Sequence, residues 1–74
     1  MPHEVDARGL SCPQPVLMTL QAIQSAGNDD ICIRVDNSTS FENVSRAATG
    51  KGWLIANVEQ NDGEYRVMIH KGFA

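Results

Sequence analysis

Between two stretches of helical spacing lies one that alternates strictly, Ile31-Cys32-Ile33-Arg34-Val35. It restricts the available folds more than any other feature. Its three β-branched side chains share one face and its polar groups the other, the pattern of a strand with one covered side. On that reading Cys32 falls on the polar side. Upstream, Val16, Leu17, Leu20 and Ile23 recur at helical spacing between Pro13 and Ala26, and Gly27-Asn28 supply a stop. A short alternating stretch over residues 3 to 7 comes before that helix. Downstream, Thr39-Ser40-Phe41-Glu42 fits a capping box for a helix running to about residue 49, with Phe41, Val44 and Ala48 on one stripe. Gly50-Lys51-Gly52 would end it. Residues 53 to 59 and 64 to 70 read as two strands joined at Asp62-Gly63, a strong hairpin signal.

The expected order is β-α-β-α-β-β. A strand-helix-strand crossover within one sheet is right-handed in almost every case, so the first two strands are expected to be parallel and the final hairpin antiparallel. Both helices need the same apolar sheet face. The fold class is therefore α/β, a two-layer sandwich of a mixed four-stranded sheet with two helices on one face. Leu54, Ala56 and Val58 are expected to face the core, and Trp53, Ile55 and Cys32 the open side.

At 74 residues the chain has room for one modest core. Its apolar fraction of 42% and charged fraction of 20% exclude a disordered segment. No apolar run reaches the ~18 residues of a membrane helix, and Met1-Pro2-His3-Glu4 lacks the features of a signal peptide, so the expected compartment is the cytoplasm. Neither a membrane nor nucleic acid is expected as a direct partner. The net charge is −3 and Lys and Arg are not clustered, whereas phosphate neutralisation needs clustered cations. Cys12 and Cys32 are twenty positions apart, with only His3 and His70 to assist, which argues against both a metal site and a disulfide framework.

The chemistry concentrates at Asp6-Ala7-Arg8-Gly9-Leu10-Ser11-Cys12-Pro13-Gln14-Pro15-Val16. Gly9 permits a sharp exit from the first strand, and Pro13 and Pro15 preset a helix's first turn, where a missing N–H costs nothing. Cys12 is then expected at the helix N-cap, where the positive end of the dipole favours a thiolate or persulfide. Gly9, Leu10, Pro13, Gln14 and Pro15 form its supporting frame. Arg8 is the one cation in the segment available for an anion or partner contact. No general base accompanies the thiol, which disfavours a Cys-His hydrolase. A group that only accepts and passes on sulfur needs an exposed, nucleophilic thiol and little else.

Cys12-Pro13-Gln14-Pro15 preceded by Asp6-Ala7-Arg8-Gly9-Leu10 resembles the TusA/SirA family, marked by a Cys-Pro-x-Pro motif after a strand ending in Asp-Ala-x-Gly-Leu. Val35-Asp36-Asn37 followed by Glu42-Asn43-Val44 looks like its YedF branch. The resemblance spans nearly the whole chain, read as a single domain over residues 1–74. In the YedF branch a second domain often follows, which would make this the N-terminal domain of a longer protein. The resemblance implies a cysteine, here Cys12, that carries persulfide sulfur, or selenium, from a cysteine desulfurase or rhodanese-like donor to an acceptor protein. It implies no other cofactor and no independent turnover. TusA proteins carry basic residues before the motif cysteine and along the first helix. Here Ser11, Thr19, Leu20 and Gln21 are neutral and no cation lies between Arg8 and Arg34, so docking is expected through Leu10, Ser11 and Gln14. The alternative is a protein-interaction or redox-regulatory module that uses the open sheet face, with Cys12 a redox-sensing thiol.

Overall fold

The computed structural model describes residues 3–11, 13–27 and 29–72. The elements follow the expected order: β1 (His3–Asp6), α1 (Gln14–Ala26), β2 (Ile31–Val35), α2 (Ser38–Gly50), β3 (Trp53–Asn61) and β4 (Glu64–Lys71). Across the sheet the strands run β1-β2-β4-β3. β1 and β2 are parallel, and β4 lies antiparallel to both β2 and β3. The hairpin thus inserts its second strand at the centre and leaves β3 as an edge. Asp62 and Gly63 both have positive φ, 51° and 81°, the conformation a tight two-residue hairpin turn requires.

The core is the expected face of β2 and its neighbours. Ile31, Ile33 and Val35 are fully buried, as are Val67 and Ile69 opposite them on β4. Both helices close over this face, α2 through Val44 and Ala48 and α1 through Ala26. Each fully buried Val or Ile side chain contributes about 1.5–3 kcal/mol relative to exposure, so these few side chains dominate the favourable side of the balance. Phe41 on α2 stacks on Tyr65 of β4 at 4.8 Å between ring centroids and extends the core toward the hairpin.

Four expectations are corrected. First, Trp53 belongs to the core at 3% exposure, Ile55 lies opposite the core residue Ile69, and Leu54 is half exposed. The register shifts between Ile55 and Asn57, so Ala56 is the extra residue of a β-bulge. Alternation therefore has one parity before it and the other after it, which explains why Val58 still pairs with the core residue Val67. Second, Cys32 is on the side away from the helices by parity and yet is 4% exposed. Its strand is central, and Glu4 and Met68 stand on either side of it. Third, α2 is capped by Asn37, whose side chain accepts from the Ser40 N–H at 2.7 Å. This leaves Thr39 inside the first turn; an Asn two positions earlier takes the capping role, accepting from the Ser40 N–H where the box would have had Thr39 accept from Glu42. Fourth, α1 buries Pro15, Thr19 and Ala26, and Leu17 is 47% exposed. The fully buried Thr19 satisfies its hydroxyl by donating to the Pro15 carbonyl at 2.8 Å. Because that bond removes the polar penalty, a Thr can share the inward stripe with Ile23, the member of the expected set Val16, Leu17, Leu20 and Ile23 that packs against the core.

Candidate functional site

Parallel pairing of β1 and β2 brings the ends of both strands to one side of the sheet, and α1 and α2 both begin there. Open sheets with crossover helices characteristically place their ligands and chemistry at this carboxyl end. The loop after β1 starts on the ladder: the buried Ala7 donates its N–H to the Arg34 carbonyl at 2.8 Å. Arg8 then turns back on its own strand. Its Nε and Nη2 donate to the two Asp6 carboxylate oxygens at 2.9 and 2.8 Å, and its backbone N–H donates to Oδ1 at 3.2 Å. Nη1 reaches Glu64 at the start of β4, at 3.5 Å. These bonds from Arg8 hold the Asp6 carboxyl well below the usual carboxylate range, and Asp6 in turn raises the guanidinium. Arg8 is thus paired with two carboxylates at the surface; Asp6, Arg8, Gly9, Leu10 and Glu64 line a shallow open hollow.

Gly9 has φ +77°, and a Cβ built there would meet nothing within 4 Å. Glycine is therefore required by backbone conformation and not by crowding. Its N–H donates to Asp36 Oδ2 at 2.7 Å, and Asp36 Oδ1 accepts from the Asn37 side-chain amide at 3.1 Å. Leu10 follows at 38% exposure and Ser11 is exposed. The Ser11 carbonyl accepts from the Gln14 N–H at 2.9 Å, and the Pro13 carbonyl accepts the first helical bond, from Leu17, at 3.0 Å.

Cys12 lies outside the described residues. The cap position of α1 is Pro13, one residue later than expected, and no side chain caps it. The shift follows from which carbonyl opens the ladder: Pro13 does, and so Cys12 precedes the cap in sequence. Pro13 and Gln14 are exposed, whereas Pro15 is fully buried and does more than preset a backbone angle. Cys32, the other thiol, is pushed up in pKa by burial; Arg66 and Arg34 oppose this, and Glu4 and Glu59 add to it.

Sequence reasoning gave no role to Asp36, Asn37 or Glu64 in holding the loop. The signal for Asn37 was its place right after a strand and before a Ser-Thr-Ser run, an ordinary cap position. Nothing local could have signalled Glu64, 56 residues from Arg8. Among the described residues no group of three or more His, Cys, Asp or Glu side chains is placed to hold a metal ion, and no helix is long and apolar enough to cross a membrane.

This architecture has counterparts. The family model described as Sulfurtransferase TusA matches residues 3–71. A "putative sulfur carrier protein" of Methanocaldococcus jannaschii is 28% identical over 69 residues, covering 92% of each chain. An "uncharacterized protein" of the same organism is also 28% identical over 69 residues, but the match spans 25% of its length. The crystal structure of a SirA-like protein from Desulfitobacterium hafniense superposes with a TM-score of 0.84 at 31% identity, covering 99% of this chain and all of the other. The length of the family match, with the same fold in a relative above 30% identity, establishes that this chain belongs to the TusA sulfurtransferase family.

Proposed function

We propose that the protein is a sulfur-relay carrier in which Cys12 accepts a sulfur atom from a donor persulfide and hands it to an acceptor protein. The observation that carries this reading is the family match over residues 3–71, which includes Cys12 and the whole Cys-Pro-Gln-Pro segment. In the loading step the Cys12 thiolate attacks the outer sulfur of the donor's persulfide. A new S–S bond forms at Cys12, the donor's S–S bond breaks, and the donor thiolate leaves with the electron pair, so no external oxidant or reductant is needed. The unloading step is the same displacement with Cys12 as leaving group. A selenium atom could be carried by the same exchange.

A cysteine desulfurase or a rhodanese-like protein fits the donor role, because either presents sulfur already activated. Engagement of Arg8 by Asp6 and Glu64 supports a carrier over an enzyme acting on a small sulfur anion, for which a free cation beside the thiol would be required. It also supports docking through neutral contacts, with Leu10 and Leu17 the exposed apolar groups on either side of the motif. A cytoplasmic setting, where thiols stay reduced, suits this chemistry.

The test is the intact mass of the protein after incubation with a cysteine desulfurase and cysteine. Wild type should gain ~32 Da, the mass that transfer of one sulfur to a thiolate requires. Cys12→Ser should gain nothing and Cys32→Ser should load like wild type. A wild-type protein that takes up no sulfur, or a Cys12→Ser variant that does, would overturn the reading.

A further inference from the structure

We infer that Asp36 is a positioning residue for sulfur loading: its carboxylate fastens the loop that carries Cys12 to the capped start of α2. This rests on the reading of Cys12 as the sulfur-bearing residue. After Ala7 the β1 ladder ends, and α1 begins only at Gln14. In between, the Arg8 bonds to Asp6 span two residues and shape the loop locally, and the reach to Glu64 is long at 3.5 Å. The Gly9 N–H to Asp36 contact is different in kind. At 2.7 Å it is a short hydrogen bond to a charged acceptor, and it joins positions 27 residues apart.

The second carboxylate oxygen of Asp36 accepts from Asn37, and the Asn37 carbonyl oxygen caps α2 through Ser40. Ser40 is buried, and one turn further on Val44 is fully buried in the core. A continuous path of hydrogen bonds thus runs from a packed helix to Gly9, three positions before Cys12. The bond to Gly9 is exposed, so its net contribution to overall stability is small. What it fixes is the direction in which the loop leaves the sheet. A protein donor must bring its persulfide to the attacking thiol in line, whereas a small alkylating reagent reaches a thiol in many orientations.

The inference is tested on Asp36→Ala and Asp36→Asn in the full chain, with three measurements on each. Loading from a cysteine desulfurase is followed by the rate of mass gain, at donor concentrations where encounter limits it. Cys12 and Cys32 are followed separately by iodoacetamide labelling and peptide mapping. Asp36→Ala should load about tenfold more slowly than wild type, while Cys12 alkylation stays within about twofold and Cys32 stays protected. Asp36→Asn keeps an acceptor oxygen for Gly9 and should load within about threefold of wild type. Loading of Asp36→Ala at the wild-type rate overturns the inference. So does a parallel fall in Cys12 alkylation, equal loss in both variants, or exposure of Cys32, which would make Asp36 a support of the whole fold. Failure of the carrier reading is separate, since it appears as absent mass gain in wild type itself.

Discussion

The two helices begin side by side at the same end of the sheet and are built in opposite ways. α2 is the more polar in sequence, and its beginning is closed: Asn37 caps it, Ser40 is buried in its first turn, and Val44 and Ala48 have no exposure at all. α1 is the more apolar and its beginning is open, with Pro13 at the cap, no side-chain hydrogen bond there, and Leu17 half exposed one turn in. Helix apolarity is therefore not proportional to helix burial in this molecule. α2 spends nearly all its apolar groups on the core, while α1 holds apolar surface in reserve beside the motif. The difference separates a helix with a closed, buried start from one with an open, exposed start.

The largest effect that would break this contrast lies in α2. Val44→Ala deletes two methyl groups at a fully buried position and should cost about 2 kcal/mol in urea unfolding. A cost near zero would mean that α2 does not anchor the fold. Next comes the cap: Asn37→Ala should cost about 1 kcal/mol, because the Ser40 N–H loses its acceptor at a part-buried site. The same measurement on Pro13→Ala, at the uncapped start of α1, should give a smaller change; an equal loss would erase the distinction between the two starts. The smallest stability effect is expected at Leu17→Ala, within about 0.5 kcal/mol. Its signature should appear in slower loading by a protein donor. Loss of stability comparable to Val44→Ala would place Leu17 in the core after all.

Element order, strand directions and the inward face of β2 were legible in the sequence because each rests on a local period confirmed by its neighbours. Ile31, Ile33 and Val35 alternate without interruption, and Asp62-Gly63 specifies its turn almost alone. The faces of β3 and α1 were not legible, for two separate reasons. A bulge leaves no mark in an uninterrupted apolar run such as Trp53-Leu54-Ile55-Ala56, which reads equally well in either parity until a partner strand fixes the register. In α1, hydropathy favours the leucines, and only the bond from Thr19 to the Pro15 carbonyl shows that a hydroxyl can sit inward without penalty. Around the loop after β1, the moorings were not legible. Asp36 and Glu64 reach the loop from 27 and 56 residues away, distances over which a single sequence carries no pairing signal.

The bulge at Ala56 has a consequence for how copies of this chain meet one another. β3 is a nine-residue outer strand with no proline, lysine or arginine, and it exposes Leu54, Ile55 and Val58. A flat strand of that composition is a template for recruiting another chain edge to edge. One inserted residue divides it into segments whose unpaired N–H and C=O groups no longer fall on a common line, and the added twist turns one half away from any straight partner. An incoming strand can match one segment or the other, never the full length. A single alanine thus interrupts, along an oily margin, the straight ladder that edge-to-edge recruitment needs.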